Sequence, residues 1–145
     1  MQVSPIWWVW MLTVSVATGV FGLAFVVVPE FMIRLFDALL FPESGVDKAF
    51  GTQAGAYIRF TCGVLGAVMT GWSVMMVSWV LGPFRRGEPL GWIALAGSII
   101  GWYVIDTPHS LLSGYPGNAA LNTLFLIAFA VPLAATASQV WRKGV

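Results

Sequence analysis

The stretch Ile6-Trp7-Trp8-Val9-Trp10-Met11-Leu12-Thr13-Val14-Ser15-Val16-Ala17-Thr18-Gly19-Val20-Phe21-Gly22-Leu23-Ala24-Phe25-Val26-Val27-Val28 runs for 23 residues without a charged side chain. As an α-helix rising 1.5 Å per residue it would extend roughly 35 Å, more than the ~30 Å of hydrocarbon in a bilayer. Ser4 and Pro5 precede it: a hydroxyl suited to an N-cap, and a proline whose missing N–H is harmless in a first helical turn. Trp7, Trp8 and Trp10 gather at its start, where an indole prefers the headgroup boundary. Thr18 with Gly22, and Ser15 with Gly19, place small residues four apart for close helix contact. Pro29 ends the run. No Lys or Arg stands before it, so the basic region of a secretory signal peptide is missing and the segment is expected to remain as a span.

The whole chain has the same character. Its 145 residues are 59% apolar and 9% charged, against about a quarter charged in soluble domains, and its mean hydropathy is +0.86. Three further apolar segments, about 54–81, 90–106 and 118–140, join the first at about 6–28. The predicted fold class is therefore an all-α integral membrane protein, a single domain of four transmembrane helices in an up-down bundle. A net charge of +1 gives no ground for a nucleic-acid partner. Cys62 is the lone cysteine, which excludes an intramolecular disulfide and a Cys-x-x-Cys pair, and within an apolar run it reads as an inert buried thiol.

The connections carry the polar pattern. Between about 30 and 41, Glu30, Arg34 and Asp37 recur at helical spacing, while Phe31, Met32, Leu35, Phe36, Leu39 and Leu40 take the opposite side. This predicts a short amphipathic helix in the interface plane, with Arg34 able to pair with Glu30 and Asp37. Pro42-Glu43-Ser44-Gly45 is turn chemistry and Asp47 a candidate cap. Along the second span Gly55, Arg59, Gly63, Ala67 and Gly71 follow at steps of four. They read as one packing stripe that carries Arg59 toward the bundle interior. Gly82-Pro83 stops this span. The third opens at Pro89, carries a Gly97/Gly101 small pair, and ends at Thr107-Pro108, because a residue before proline avoids the α region. Ser113-Gly114-Tyr115-Pro116-Gly117 is a turn. Pro132 lies inside the fourth span and frees a carbonyl that needs another donor.

Arg85, Arg86, Arg142 and Lys143 fall at one end of such a threading, which places both termini in the cytoplasm, with Trp141-Arg142-Lys143 as an anchor. The other end gathers Glu30, Tyr57, Arg59, Trp102, Tyr103, Asp106, His109, Asn118 and Asn122. Two readings of this cluster stay open. Arg59 and Asp106 form a structural ion pair, or the same groups line a water-accessible ligand pocket whose apolar wall is Trp102. No residue is assigned as catalytic: Ser110 or Ser113 with His109 and Asp106 crowd into one turn without a nucleophile elbow. A single histidine makes a poor metal site, and no cofactor is expected.

The helix Tyr57-Ile58-Arg59-Phe60-x-x-Gly63-x-x-Gly66-Ala67, with an arginine ahead of a glycine-rich face, resembles that of small four-span bacterial membrane proteins of the DoxX-like kind. The resemblance covers this helix and the four-span plan, and carries no residue beyond Arg59. It implies a bacterial inner membrane and an accessory role in a redox or catabolic pathway. The leading expectation is a non-enzymatic accessory subunit, or a binder of a small lipophilic molecule at the Arg59/Asp106 end. The alternatives are a proton- or solute-coupled transporter using Asp106, and a lipid-modifying enzyme using Asp106 and His109. The expected partners are the bilayer and either a lipophilic ligand or another membrane protein; monomer and homodimer both stay open.

Overall fold

The computed structural model describes residues 2–40, 48 and 50–141. The turn expected at residues 42–45, the Asp47 cap and the Arg142-Lys143 anchor lie outside the described residues. The elements are α1 (Pro5–Val27), α2 (Pro29–Leu40), α3 (Thr52–Trp79) running into a π-helical turn (Val80–Phe84), α4 (Pro89–Leu112) and α5 (Pro116–Trp141). The described chain is 91% helical, with no strand among the described residues. Among the described residues four stretches are long and apolar enough to cross a membrane: Pro5–Val27, Thr52–Phe84, Pro89–Leu112 and Pro116–Trp141. The protein is a multi-pass helical membrane protein.

One three-residue device, glycine-x-proline, makes both of the connections that flank α4. Gly87 and Gly114 have φ of 69° and 83°, the left-handed region that a Cβ resists. At the first connection Glu88 N–H donates to Pro83 O (3.0 Å) and Gly87 N–H to Phe84 O (2.9 Å). At the second, Tyr115 N–H donates to Ser110 O (2.8 Å) and Gly114 N–H to Leu111 O (3.1 Å). Each pair satisfies carbonyls that a helix end leaves orphaned, in a Schellman arrangement. Pro89 and Pro116 then open the next helix at a position where no N–H is needed. Gly114→Ala is expected to cost about 1 kcal/mol through its positive φ. The midpoint of unfolding in mixed micelles measures it, and an unchanged midpoint refutes it.

Helix α4 overruns its predicted end. Pro108 was expected to close it, but the helix continues to Leu112 with Pro108 inside. Proline removes one N–H, which costs the helix the bond to the Val104 carbonyl four residues earlier, a loss that membrane helices tolerate. Ser110 Oγ donates one turn back to Asp106 O at 2.8 Å. The terminator is Gly114. At the other connection the α-helix stops at Trp79 and Gly82 (φ −91°, ψ −111°) leaves helical geometry inside the π turn, close to the stop that Gly82-Pro83 predicts. Arg85 N–H reaches Val80 O at 3.0 Å, and Val80 and Phe84 are fully buried.

The chain divides into two compact units, Ala17–Ser73 and Met1–Val16 with Val74–Val145. In the first, α1 and α3 meet backbone to backbone. A Cβ at Gly22 would lie 2.6 Å from Gly66 O, and one at Gly66 2.8 Å from Phe25 Cβ. Thr70 Oγ1 donates to Gly66 O at 2.8 Å and also reaches Gly19 O at 3.3 Å. Helix α2 packs through Phe36, whose ring lies 5.1 Å from Phe25 and 6.3 Å from Phe21. Met32 and Ile33 are buried, while Phe31 and Leu35 are exposed.

The predicted α3 stripe is corrected here. Gly71 has nothing within 4 Å of a Cβ, Gly63 has only Phe25 O at 3.9 Å, and Ala67 is exposed. A step of four turns 400°, so each step drifts about 40°, and four steps from Gly55 to Gly71 rotate about 160°. The packed face instead runs through Gly55, Gly66, Ser73, Met76 and Val80, all buried.

In the second unit, Val3 N–H donates to Arg85 O (3.0 Å) and Ser4 N–H to Gln139 Oε1 (3.1 Å). The Arg85 guanidinium stands 4.5 Å over the Trp8 ring, a cation–π contact. Trp92 and Trp141 meet at 6.3 Å. Arg86 Nε donates to Glu88 Oε1 at 2.5 Å, and that hydrogen bond holds the guanidinium above its ordinary pKa. Trp10 Nε1 donates to Ala128 O at 3.0 Å. Ala128 is the residue four before Pro132, so its carbonyl is the one that the proline leaves without an intrahelical donor. Trp10 supplies that donor.

Candidate functional site

The last turns of α4 and the first turns of α5 share a polar seam. Tyr103, Thr107 and Ser110 stand at i, i+4 and i+7, one face of a helix. Opposite them Thr123, Asn122 and Asn118 descend along α5. Tyr103 Oη and Thr123 Oγ1 are 3.2 Å apart, Asn122 Nδ2 donates to Thr107 Oγ1 at 3.3 Å, and Asn118 Nδ2 donates to Ser110 Oγ at 2.8 Å. Thr107, Ser110 and Asn122 are buried, where an unmade hydrogen bond would cost about 1–3 kcal/mol. Among the described residues no buried side-chain nitrogen or oxygen is without a partner.

Asp106 heads the seam. Trp102, one turn earlier, donates Nε1–H to Asp106 Oδ2 at 3.1 Å. Ser110, one turn later, reaches Oδ1 at 3.3 Å as well as the Asp106 carbonyl. The half-buried carboxylate thus takes both of its hydrogen bonds from its own helix, and Asn118 feeds into it through Ser110. An ionised carboxylate has about four acceptor positions, and two are used. Among the described residues of its unit no cation pairs with it: Arg85 lies over Trp8 and Arg86 is bonded to Glu88.

No family model, no curated protein and no solved structure matches the chain. The site therefore stands on its own geometry. Of the residues expected to gather, Trp102, Tyr103, Asp106, Asn118 and Asn122 lie along this one seam. Arg59 and Glu30 belong to the Ala17–Ser73 unit, where Arg59 Nε stands 3.9 Å from Glu30 Oε1. Glu30 is 68% exposed in that pair, so it contributes at most about 1 kcal/mol. Tyr57 is exposed. His109 is exposed too, and among the described residues no hydrogen bond joins it to Asp106.

Thr107, Ser110 and Thr123 belong to the seam without having been among the expected site residues. Their signal was present as the 103/107/110 spacing. It becomes readable only if α4 continues through Pro108, since ending the helix at residue 106 breaks the face in half.

Proposed function

We propose that this protein binds a small lipophilic molecule at the α4/α5 seam headed by Asp106, acting in the membrane without itself doing covalent chemistry. One observation carries the reading. A carboxylate sits on a membrane-crossing helix with two hydrogen-bond donors, unused acceptor capacity and no cationic partner among the described residues of its unit. Ionisable groups in spans are costly and are retained where they meet a ligand, a partner or water. The aromatic pair Trp102 and Tyr103, with ring centroids 6.4 Å apart, supplies the apolar wall that such sites use.

The four long helices thread the bilayer up and down in this proposal, with both termini and the Arg85-Arg86 connection on the cytoplasmic side. The hydrogen bonds from Val3 to Arg85 and from Ser4 to Gln139 support a shared end for these three places. Helix α2 lies in the interface: Met32 and Ile33 face the protein, and exposed Phe31 and Leu35 reach toward acyl chains. The resemblance of α3 to the DoxX-like helix favours a bacterial inner membrane and an accessory place in a redox or catabolic system.

The test is photolabelling of the reconstituted protein with a twelve-carbon diazirine lipophile, followed by mapping of the labelled peptides. Saturable labelling between residues 102 and 118, competed by the unlabelled compound, is the expected result. Labelling spread evenly over the lipid-facing positions of all helices, and indifferent to competitor, removes the reading.

A further inference from the structure

The hydrogen bonds around Asp106 specify the charge of what binds there, an inference that rests on the lipophile-binding reading above. The neighbouring polar side chains bond one another: Asn118 Nδ2 to Ser110, Asn122 Nδ2 to Thr107, and the Tyr103 hydroxyl with Thr123. The two arginines of the described unit are engaged with Trp8 and Glu88. No described group of the unit therefore neutralises the carboxylate, and its remaining lone pairs are open to an incoming donor. The carbonyls that end α4 nearby add partial negative charge of the same sign.

Beside the carboxylate is a π surface. The Trp102 ring is held by its own Nε1–H bond to Asp106 and stands tilted at 67° to Tyr103. An indole face attracts a cation placed within about 6 Å of it. Beside Asp106 on the helix surface, Ile105 is 73% exposed and Leu112 89% exposed, and at 100° per residue the two lie on one strip of α4. A negative head, an aromatic flank and an apolar strip match one ligand form.

We infer that the Asp106 site selects lipophilic ammonium ions. The ammonium sits on the carboxylate oxygens against the Trp102 ring, and the alkyl or aryl body lies along Ile105 and Leu112. A neutral lipophile of the same length keeps the strip and loses the carboxylate contact. An anionic one meets like charge.

The experiment compares dodecylamine with 1-dodecanol as competitors of photolabelling in the full-length reconstituted protein. It is run near pH 8, where an alkyl ammonium is still charged. Dodecylamine is expected to compete at least about tenfold better, a factor worth about 1.4 kcal/mol. Asp106→Asn should remove the difference and Asp106→Glu should retain most of it. Equal competition by amine and alcohol overturns the charge selection while leaving the lipophile-binding reading in place. An amine preference that survives Asp106→Asn also overturns it, because another group would then be the selector. Saturable labelling by neither compound removes the underlying reading itself. The amine–alcohol comparison on the unaltered chain needs no variant, so poor folding of Asp106→Asn leaves the inference exposed to refutation.

Discussion

Alanine at Gly66 is expected to lower the stability of the Ala17–Ser73 unit by about 1–3 kcal/mol, the usual cost of forcing volume into a packed contact. The new Cβ would meet Phe25 Cβ at 2.8 Å and press on the Gly22 carbonyl. Neither can give easily, since one is the root of a side chain whose ring already packs on Phe36 and the other is backbone. Gly22→Ala should cost a similar amount through Gly66 O. Because both substitutions open the same contact, the double variant should cost less than the sum. Gly71→Ala and Gly97→Ala are the internal controls. Neither position has an atom within 4 Å of the added Cβ, so their unfolding midpoints should stay level or rise slightly, alanine being the better helix former. Thermal or denaturant unfolding in mixed micelles reads all four. Equal effects at Gly66 and Gly71 would show that the helices do not meet at Gly22 and Gly66.

That contrast also marks what the sequence could and could not convey. Hydrophobic length places all four long helices to within a few residues wherever composition decides the boundary, as at Pro5, Pro89 and Trp141. The facing of a helix is harder. Gly55, Arg59 and Gly63 begin on or near the packed side of α3, and only the accumulated drift of a four-residue step carries Ala67 and Gly71 off it. Gly66 was visible as a glycine, but no periodicity of one helix can identify its partner; Gly22 on α1 does that. Pro108 misleads for a different reason. Its steric effect on Thr107 is real, and the penalty is outweighed once the helix runs on to the Gly114 motif, which gathers the final carbonyls. The aspartate-centred part of the site was legible as Asp106 with Trp102 on one face. The matching hydroxyls of Thr107 and Ser110 were hidden by the premature helix end.

Replacing Trp10 by phenylalanine should cost about 1–2 kcal/mol in the natural chain and little in a Pro132→Ala background. The Ala128 carbonyl needs a donor because Pro132 has no N–H, and lipid offers none. The Trp10 indole at 3.0 Å is that donor. With alanine at 132 the backbone N–H returns and closes the ordinary i→i−4 bond, so the indole becomes dispensable. The four-member cycle of wild type, Trp10→Phe, Pro132→Ala and the double variant should therefore show a coupling energy of about 1 kcal/mol or more. Phenylalanine is smaller than tryptophan, but a packing loss alone would recur equally in both backgrounds and cancel in the cycle. Additive effects would mean that the Trp10 bond has no connection with the proline. A Pro132→Ala variant less stable than wild type would add that Trp10 and Trp92, which bonds Leu133 O at 2.9 Å, need the proline's local geometry to reach their carbonyls. In that case tryptophans of two neighbouring helices, α1 and α4, fix the shape of α5 on either side of its proline, and the first turns of α5, which carry Asn118 and Asn122 to the seam, inherit their position from that grip.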